Sequence, residues 1–116
     1  MGYRSDVVIA ITKETSLKYE VLLSKFNWVN EVAEGREVMS NGNIYWYINS
    51  IKWYDSFEPI QQLIDTFDLI EEDEDPNILH AFMRTGEDTT DQEYSGYPHE
   101  FEMYFTHSIE TPLGII

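Results

Sequence analysis

Residues 36–54, REVMSNGNIYWYINSIKWY, consist of two strand-like runs joined at Asn41-Gly42. Both residues of that pair tolerate positive φ, and Asn-Gly between such runs is the strongest short-range signal for a hairpin. In the second arm Ile44, Trp46 and Ile48 fall on one face. Strand alternation assigns Tyr45 and Tyr47, and with them Ile51 and Trp53, mostly to the other. A strand apolar on both faces is either covered twice or presents one face to a partner. In the second case Tyr45, Tyr47 and Trp53 are an aromatic interface through which the chain self-associates.

The flanking sequence completes a pattern around this hairpin. Residues 6–11, DVVIAI, form a short β-branched run that reads as a buried strand. Thr12 follows as a helix cap, and Leu17, Val21, Leu22, Phe26, Val29 and Ala33 recur at helical spacing, so a helix is expected over 13–33, with Asn27 and Asn30 as the places for a break, and it ends at Gly35. After the hairpin, Asp55 and Glu58 resemble a capping box, and Pro59 suits a first helical turn. Ile60, Leu63, Ile64 and Phe67 carry that helix to about residue 70. An acidic loop over 71–77, a strand over 78–85, a long polar loop over 86–98 and a last strand over 101–106 follow; the tail 111–116 reads as loose. The order β-α-β-β-α-β-β makes residues 1–116 one α+β domain. Its plan is ferredoxin-like, an antiparallel sheet with two helices on one face, extended by a fifth strand from the last segment.

Charge is distributed unevenly along this plan. The net charge is −15, from 22 acids and 7 bases among 116 residues, and residues 1–54 are neutral. Residues 55–116 hold sixteen acids and a single base, Arg84. Such a half repels a phosphate backbone, because nucleic-acid binding draws on Lys and Arg to release counterions. Direct nucleic-acid binding is therefore disfavoured, and a basic partner is favoured. The acids expected to face it are Asp65, Asp68, Glu71, Glu72, Asp73, Glu74 and Asp75 on the second helix and its loop, with Glu87, Asp88, Asp91 and Glu93 on the 86–98 loop. Acidity that serves only solubility is the competing reading. No apolar run reaches the ~20 residues of a membrane helix, no signal peptide is evident, and there are no cysteines. A cytoplasmic protein is expected.

No motif points to catalysis. Asp73-x-Asp75-x-Asn77 begins like a calcium loop, but the pattern requires Gly at its sixth place and Glu at its twelfth, where this chain has Ile78 and Arg84. A Gly-rich phosphate loop, a GxSxG elbow and an HExxH helix are all missing. The expectation is a non-enzyme without cofactor or metal. A cleft near Tyr45, Tyr47, His80 and Glu102 is the place for a small ligand or a reaction if there is one.

Gly2-Tyr3-Arg4-Ser5-Asp6-Val7 and Lys52-Trp53-Tyr54-Asp55-Ser56-Phe57 resemble segments of small acidic proteins encoded by bacteriophages and prophages. The resemblance implies a setting in a bacterial host and a host-takeover role. It includes acidic DNA mimics that block a nucleoprotein complex of host defence. The two segments also have a structural meaning, since Arg4 and Trp53 are placed to brace one end of the sheet.

Overall fold

The computed structural model describes residues 3–20, 24, 29, 31, 33, 35–54, 56–88, 90–105, 109–112, 114 and 115. Strand β1 (Ser5–Ile11) is the central strand, buried along nearly its whole length. Thr12 ends it and caps α1 (Lys13–Lys18), accepting the Thr15 N–H at 3.2 Å. α1 stops at Tyr19, so the helix expected over 13–33 is interrupted well before Asn27 and Asn30, which lie outside the described residues. Helical geometry is seen again at Val29 and Glu31, and Ala33 N–H donates to the Val29 carbonyl. Val21, Leu22 and Phe26 lie outside the described residues. Gly35, expected as a helix stop, is instead the first residue of β2 (Gly35–Val38).

The Asn41-Gly42 hairpin forms as expected between β2 and β3 (Ile44–Ile51). Gly42 has φ +90, and a side chain there would meet Lys13 Cβ at 2.8 Å, so this turn needs glycine on both counts. Helix α2 (Glu58–Glu71) has Pro59 in its first turn. Its N-cap is Phe57, with no side-chain bond, so the capping box expected of Asp55 and Glu58 is displaced; Asp55 itself lies outside the described residues. Strand β4 (His80–Gly86) then pairs with β1 on the side opposite β3.

The fifth strand comes from an unexpected place. β5 (Gln92–Gly96) forms from the stretch read as a polar loop, in an antiparallel hairpin with β4. Its exposed edge tolerates a polar sequence, and Glu93 on it pairs with Arg84 of β4. The strand expected over 101–106 is mostly something else. Pro98–Phe101 is a 3-10 turn, and among the described residues of that stretch only β6 (Tyr104–Phe105) is extended. β6 joins β7 (Ile109–Thr111) and β8 (Gly114–Ile115) in a separate three-stranded sheet. The tail expected to be loose therefore closes a hairpin, with Thr111 Oγ1 donating to the Gly114 carbonyl at 3.0 Å.

The main sheet is antiparallel throughout, in the order β2-β3-β1-β4-β5. On one face Ile60, Leu63 and Phe67 of α2 pack with Val29 onto Val7, Ile9, Ile48 and Phe82. On the other, Phe101, Met103 and Ile109 cover Val8, Ala10, Tyr45, Ala81 and Met83. The sheet is thus buried on both faces, which is why β3 is aromatic on both.

One register irregularity redirects the end of β3. Val7 pairs with Ile48 but Ser5 pairs with Ile51, so β3 carries one extra residue between them. Ser50 takes φ +57 inside this bulge, its N–H donating to Asp6 Oδ1 and its carbonyl accepting from Arg4 Nη1 at 2.8 Å. The bulge turns Ile51 and Trp53 to the α2 side, not to the Tyr45 side that simple alternation assigns. Arg4 also donates its backbone N–H to Glu87, and Tyr3 Oη accepts the Asp88 N–H, so this end of the sheet is braced to the β4–β5 turn. A non-glycine residue in the left-handed region is strained, and the Ser50 side chain is exposed. Ser50→Gly is expected to raise the unfolding free energy by about 0.5–1 kcal/mol, read by denaturant titration.

Candidate functional site: an acidic flank and a tyrosine groove

Helix α2 buries Ile60, Leu63, Phe67 and Ile70 and turns Asp65, Asp68, Leu69 and Glu72 to solvent. It has no Lys or Arg to offset them. Asp68 and Glu71 sit toward its C-terminus, where the helix dipole disfavours negative charge by a few tenths to about 1 kcal/mol each. Glu71 recovers part of this by accepting the Gly96 N–H at 2.9 Å, which staples the helix end to the end of β5. Asp68 and Glu93 line a single recess of 190 Å³ between α2 and β5.

The acids do not act alike. In the 71–75 run, Asp73 turns inward to Lys18 and to Tyr19 Oη. Lys18, the Asp75 N–H and Tyr19 hold its carboxyl down at about 2. Glu72, Glu74 and Asp75 stay exposed. This occupied Asp73, together with backbone turns in which Asp73 and Asp75 accept the N–H two residues on, is the physical content of the calcium-like spacing. Among the described residues, no three His, Asp or Glu side chains gather to hold a metal ion.

At the other end of the β4–β5 hairpin, Asp91 and Glu93 grip Arg84. Its Nη2 lies 2.7 Å from Asp91 Oδ1 and its Nε 2.6 Å from Glu93 Oε1. Burial opposes the guanidinium charge, yet the two carboxylates raise its pKa beyond the ordinary value, and Arg84 in turn depresses that of Asp91. Asp88 accepts from Thr90 N–H and Oγ1, and Glu87 from Arg4. The cationic centre of residues 55–116 is therefore internally neutralised.

The eleven acids do not share one set of contacts: Asp73 is tied to Lys18 beside α1, whereas Asp91 and Glu93 are tied to Arg84 of β4. Glu71 meets Gly96 at the end of β5, whereas Asp88 and Asp91 lie at the turn before its start, roughly 16 Å away at ~3.3 Å per residue. Asp68 and Glu93 bridge the interval. Glu71, Asp68, Glu93 and Asp91 thus follow one another along α2 and β5 as a charged strip.

A second feature was not legible beforehand. Beyond the β5 edge, on the face opposite α2, a groove of 580 Å³ opens between β5 and the 3-10 turn. Buried Met83 and Met103 lie at its base, and Tyr94, Tyr97, Tyr104 and Glu100 form its sides. The three tyrosines are 67%, 52% and 46% exposed. His99 lies beside Tyr104 with centroids 5.6 Å apart. The walls are fixed locally. Gly96 has φ +75 and a side chain there would run into the His80 carbonyl; Glu102 takes φ +54, and Met103 N–H returns to the Pro98 carbonyl at 3.0 Å. A cluster of tyrosines over 94–104 is the one sequence signal that marks this place.

The remaining candidates are buried or kept apart. Tyr45 is in the core, its hydroxyl donating to the Phe101 carbonyl at 2.9 Å and its pKa pushed up to about 12 by burial. Trp53 is stacked on Phe82 within the α2-side core. Neither can serve in an aromatic interface, and Tyr47 alone of the three is part-exposed. The cleft considered near Tyr45, Tyr47, His80 and Glu102 does not form: Tyr45 faces Phe101, while His80 lies on the other side of the sheet, stacked on Phe67 at 4.7 Å. No described helix is long and apolar enough to cross a membrane.

Fold and site together define an α+β domain with an antiparallel five-stranded sheet, an acidic strip along α2 and β5, and a tyrosine-lined groove. No family model, no curated protein and no solved structure matches the chain.

Proposed function

We propose that this protein is an acidic binding module that docks a basic surface of another protein, or of a nucleoprotein complex, and occludes it. The observation that carries this reading is the exhaustion of positive charge on the acidic half. Arg84 is bound by Asp91 and Glu93, while Asp65, Asp68, Glu72, Glu74 and Asp75 stand exposed without an ion pair among the described residues. Exposed carboxylates without a compensating cation present negative charge to a cationic groove, which favours encounter and affinity together. Mimicry of a nucleic acid that blocks a host-defence complex is the form this takes in the cytoplasm of a bacterial host. The likeness of the 2–7 and 52–57 segments to phage and prophage proteins supports that setting. The order β2-β3-β1-β4, with β1 between β3 and β4, supports a ferredoxin-like core to which β5 is added.

The test is ionic strength combined with neutralisation. Binding of a hexalysine peptide as a minimal basic surface is expected to weaken more than about tenfold between ~50 and ~300 mM salt. Asp65→Asn with Asp68→Asn and Glu72→Gln should weaken it several-fold at low salt without altering thermal unfolding by more than a few degrees. Affinity indifferent to both salt and neutralisation rules the reading out. Pulldown from a bacterial lysate, eluted by salt, then identifies the partner.

A further inference from the structure

We infer that the tyrosine groove is an arginine-receiving subsite for the basic partner, an inference that rests on the docking function proposed above. The groove combines three elements that single out a guanidinium. Tyr94, Tyr97 and Tyr104 line the groove with their side chains exposed, and a cation over a tyrosine ring is held by the ring quadrupole. Glu100 supplies a carboxylate among the lining residues, and among the described ones no Lys or Arg is there to compete for it. Met83 and Met103 give an apolar base against which an aliphatic stem packs.

The same elements rank the alternatives. A lysine ammonium is compact and strongly hydrated, so it gains less from flat rings than a guanidinium, which stacks and forks to a carboxylate at once. An anion is repelled by Glu100 and by the charge of the whole chain. The volume, 580 Å³, is ample for one side chain and the backbone that carries it. The walls are also preset. Gly96, Pro98 and the left-handed Glu102 determine the path from β5 through the 3-10 turn to β6, so little ordering is left to binding. The groove lies on the face opposite α2, reached around the β5 edge, so one partner segment can hold the acidic strip and insert a side chain beyond it.

The experiment compares hexaarginine with hexalysine, equal in charge, by calorimetric titration against four proteins. These are the wild type, Tyr94→Ala/Tyr104→Ala, Glu100→Gln, and the neutralised Asp65→Asn/Asp68→Asn/Glu72→Gln. The substituted side chains are exposed, and unchanged thermal unfolding certifies each fold. The wild type is expected to bind hexaarginine about tenfold more tightly than hexalysine. The tyrosine variant should abolish the preference while keeping hexalysine affinity within about twofold, and Glu100→Gln should reduce hexaarginine affinity several-fold. Neutralising α2 should weaken both peptides alike. Equal affinity of the wild type for the two peptides, or a preference that survives Tyr94→Ala/Tyr104→Ala, overturns the subsite and leaves the acidic strip standing. Failure to bind either peptide overturns both.

Discussion

Phe101→Ala is expected to lower the unfolding free energy by about 3–5 kcal/mol, a large share of the roughly 5–15 kcal/mol typical of a small domain. Phe101 is fully buried at the 3-10 turn, with Tyr45 edge-on to it at 6.1 Å. It is the largest fully buried side chain that the C-terminal segment inserts over the second face of the sheet. Truncation leaves a cavity that Met103 and Ile109 cannot refill, because both are already buried against Ala81 and Met83. The Tyr45 hydroxyl bonds to the Phe101 backbone and survives the change, so the loss reports packing rather than a broken hydrogen bond. Denaturant titration measures it. A loss under about 1 kcal/mol would mean that residues 98–115 do not seal the sheet in solution, and the groove they wall would go with them.

The second large effect concerns acid. His80 is 1% exposed, its Nε2 is 3.1 Å from Ser95 Oγ, its Nδ1 has no hydrogen-bond partner among the described residues, and its ring lies flat on Phe67. Burial drives its pKa down from 6.5 to about 4. The folded protein therefore keeps His80 neutral where the unfolded chain already binds a proton. Its contribution to stability is complete above about pH 7, declines as pH falls through 6.5, and is exhausted below about 4. Between pH 7 and pH 4 the wild type is expected to lose about 3 kcal/mol more than His80→Phe. The comparison cancels the many carboxylates, which titrate in both proteins. Parallel stability curves for the two proteins across that range would show that His80 is hydrated, not sealed beneath Phe67.

Both effects arise at places where local sequence and tertiary structure diverge. Segments whose structure depends on near neighbours were legible. Asn41-Gly42 marks a tight turn in almost any context, although here the loop is Ser40-Asn41-Gly42 with only Gly42 at positive φ; Thr12 has its helix to cap, and Pro59 with Ile60, Leu63 and Phe67 encodes an amphipathic helix by spacing alone. The apolar run 6–11 could only be a buried strand, and two-sided aromatics in β3 implied two covers.

Which elements supply those covers was decided by contacts distant in sequence. Gln92–Gly96 is polar enough to read as a loop, and becomes a strand because Arg84 holds Asp91 and Glu93 across the hairpin. Phe101 and Met103 alternate like strand residues, yet Pro98 and the left-handed Glu102 bend them into a turn that seals the sheet. The bulge at Ser50 sends Trp53 to the helix side, which no period-two reading anticipates, since it takes one extra residue clamped by Asp6 and Arg4.

The site divides in the same way. Charge is a property of composition, so an acidic half that repels polyanions follows from the residues themselves. Whether a given carboxylate is spent inwardly, like Asp73 on Lys18, or remains exposed, like Asp68 and Glu72, depends on what the fold brings beside it. The groove is tertiary altogether. Tyr94 and Tyr104 stand ten positions apart, and they share a recess only because β5, the 3-10 turn and β6 fold back over the sheet.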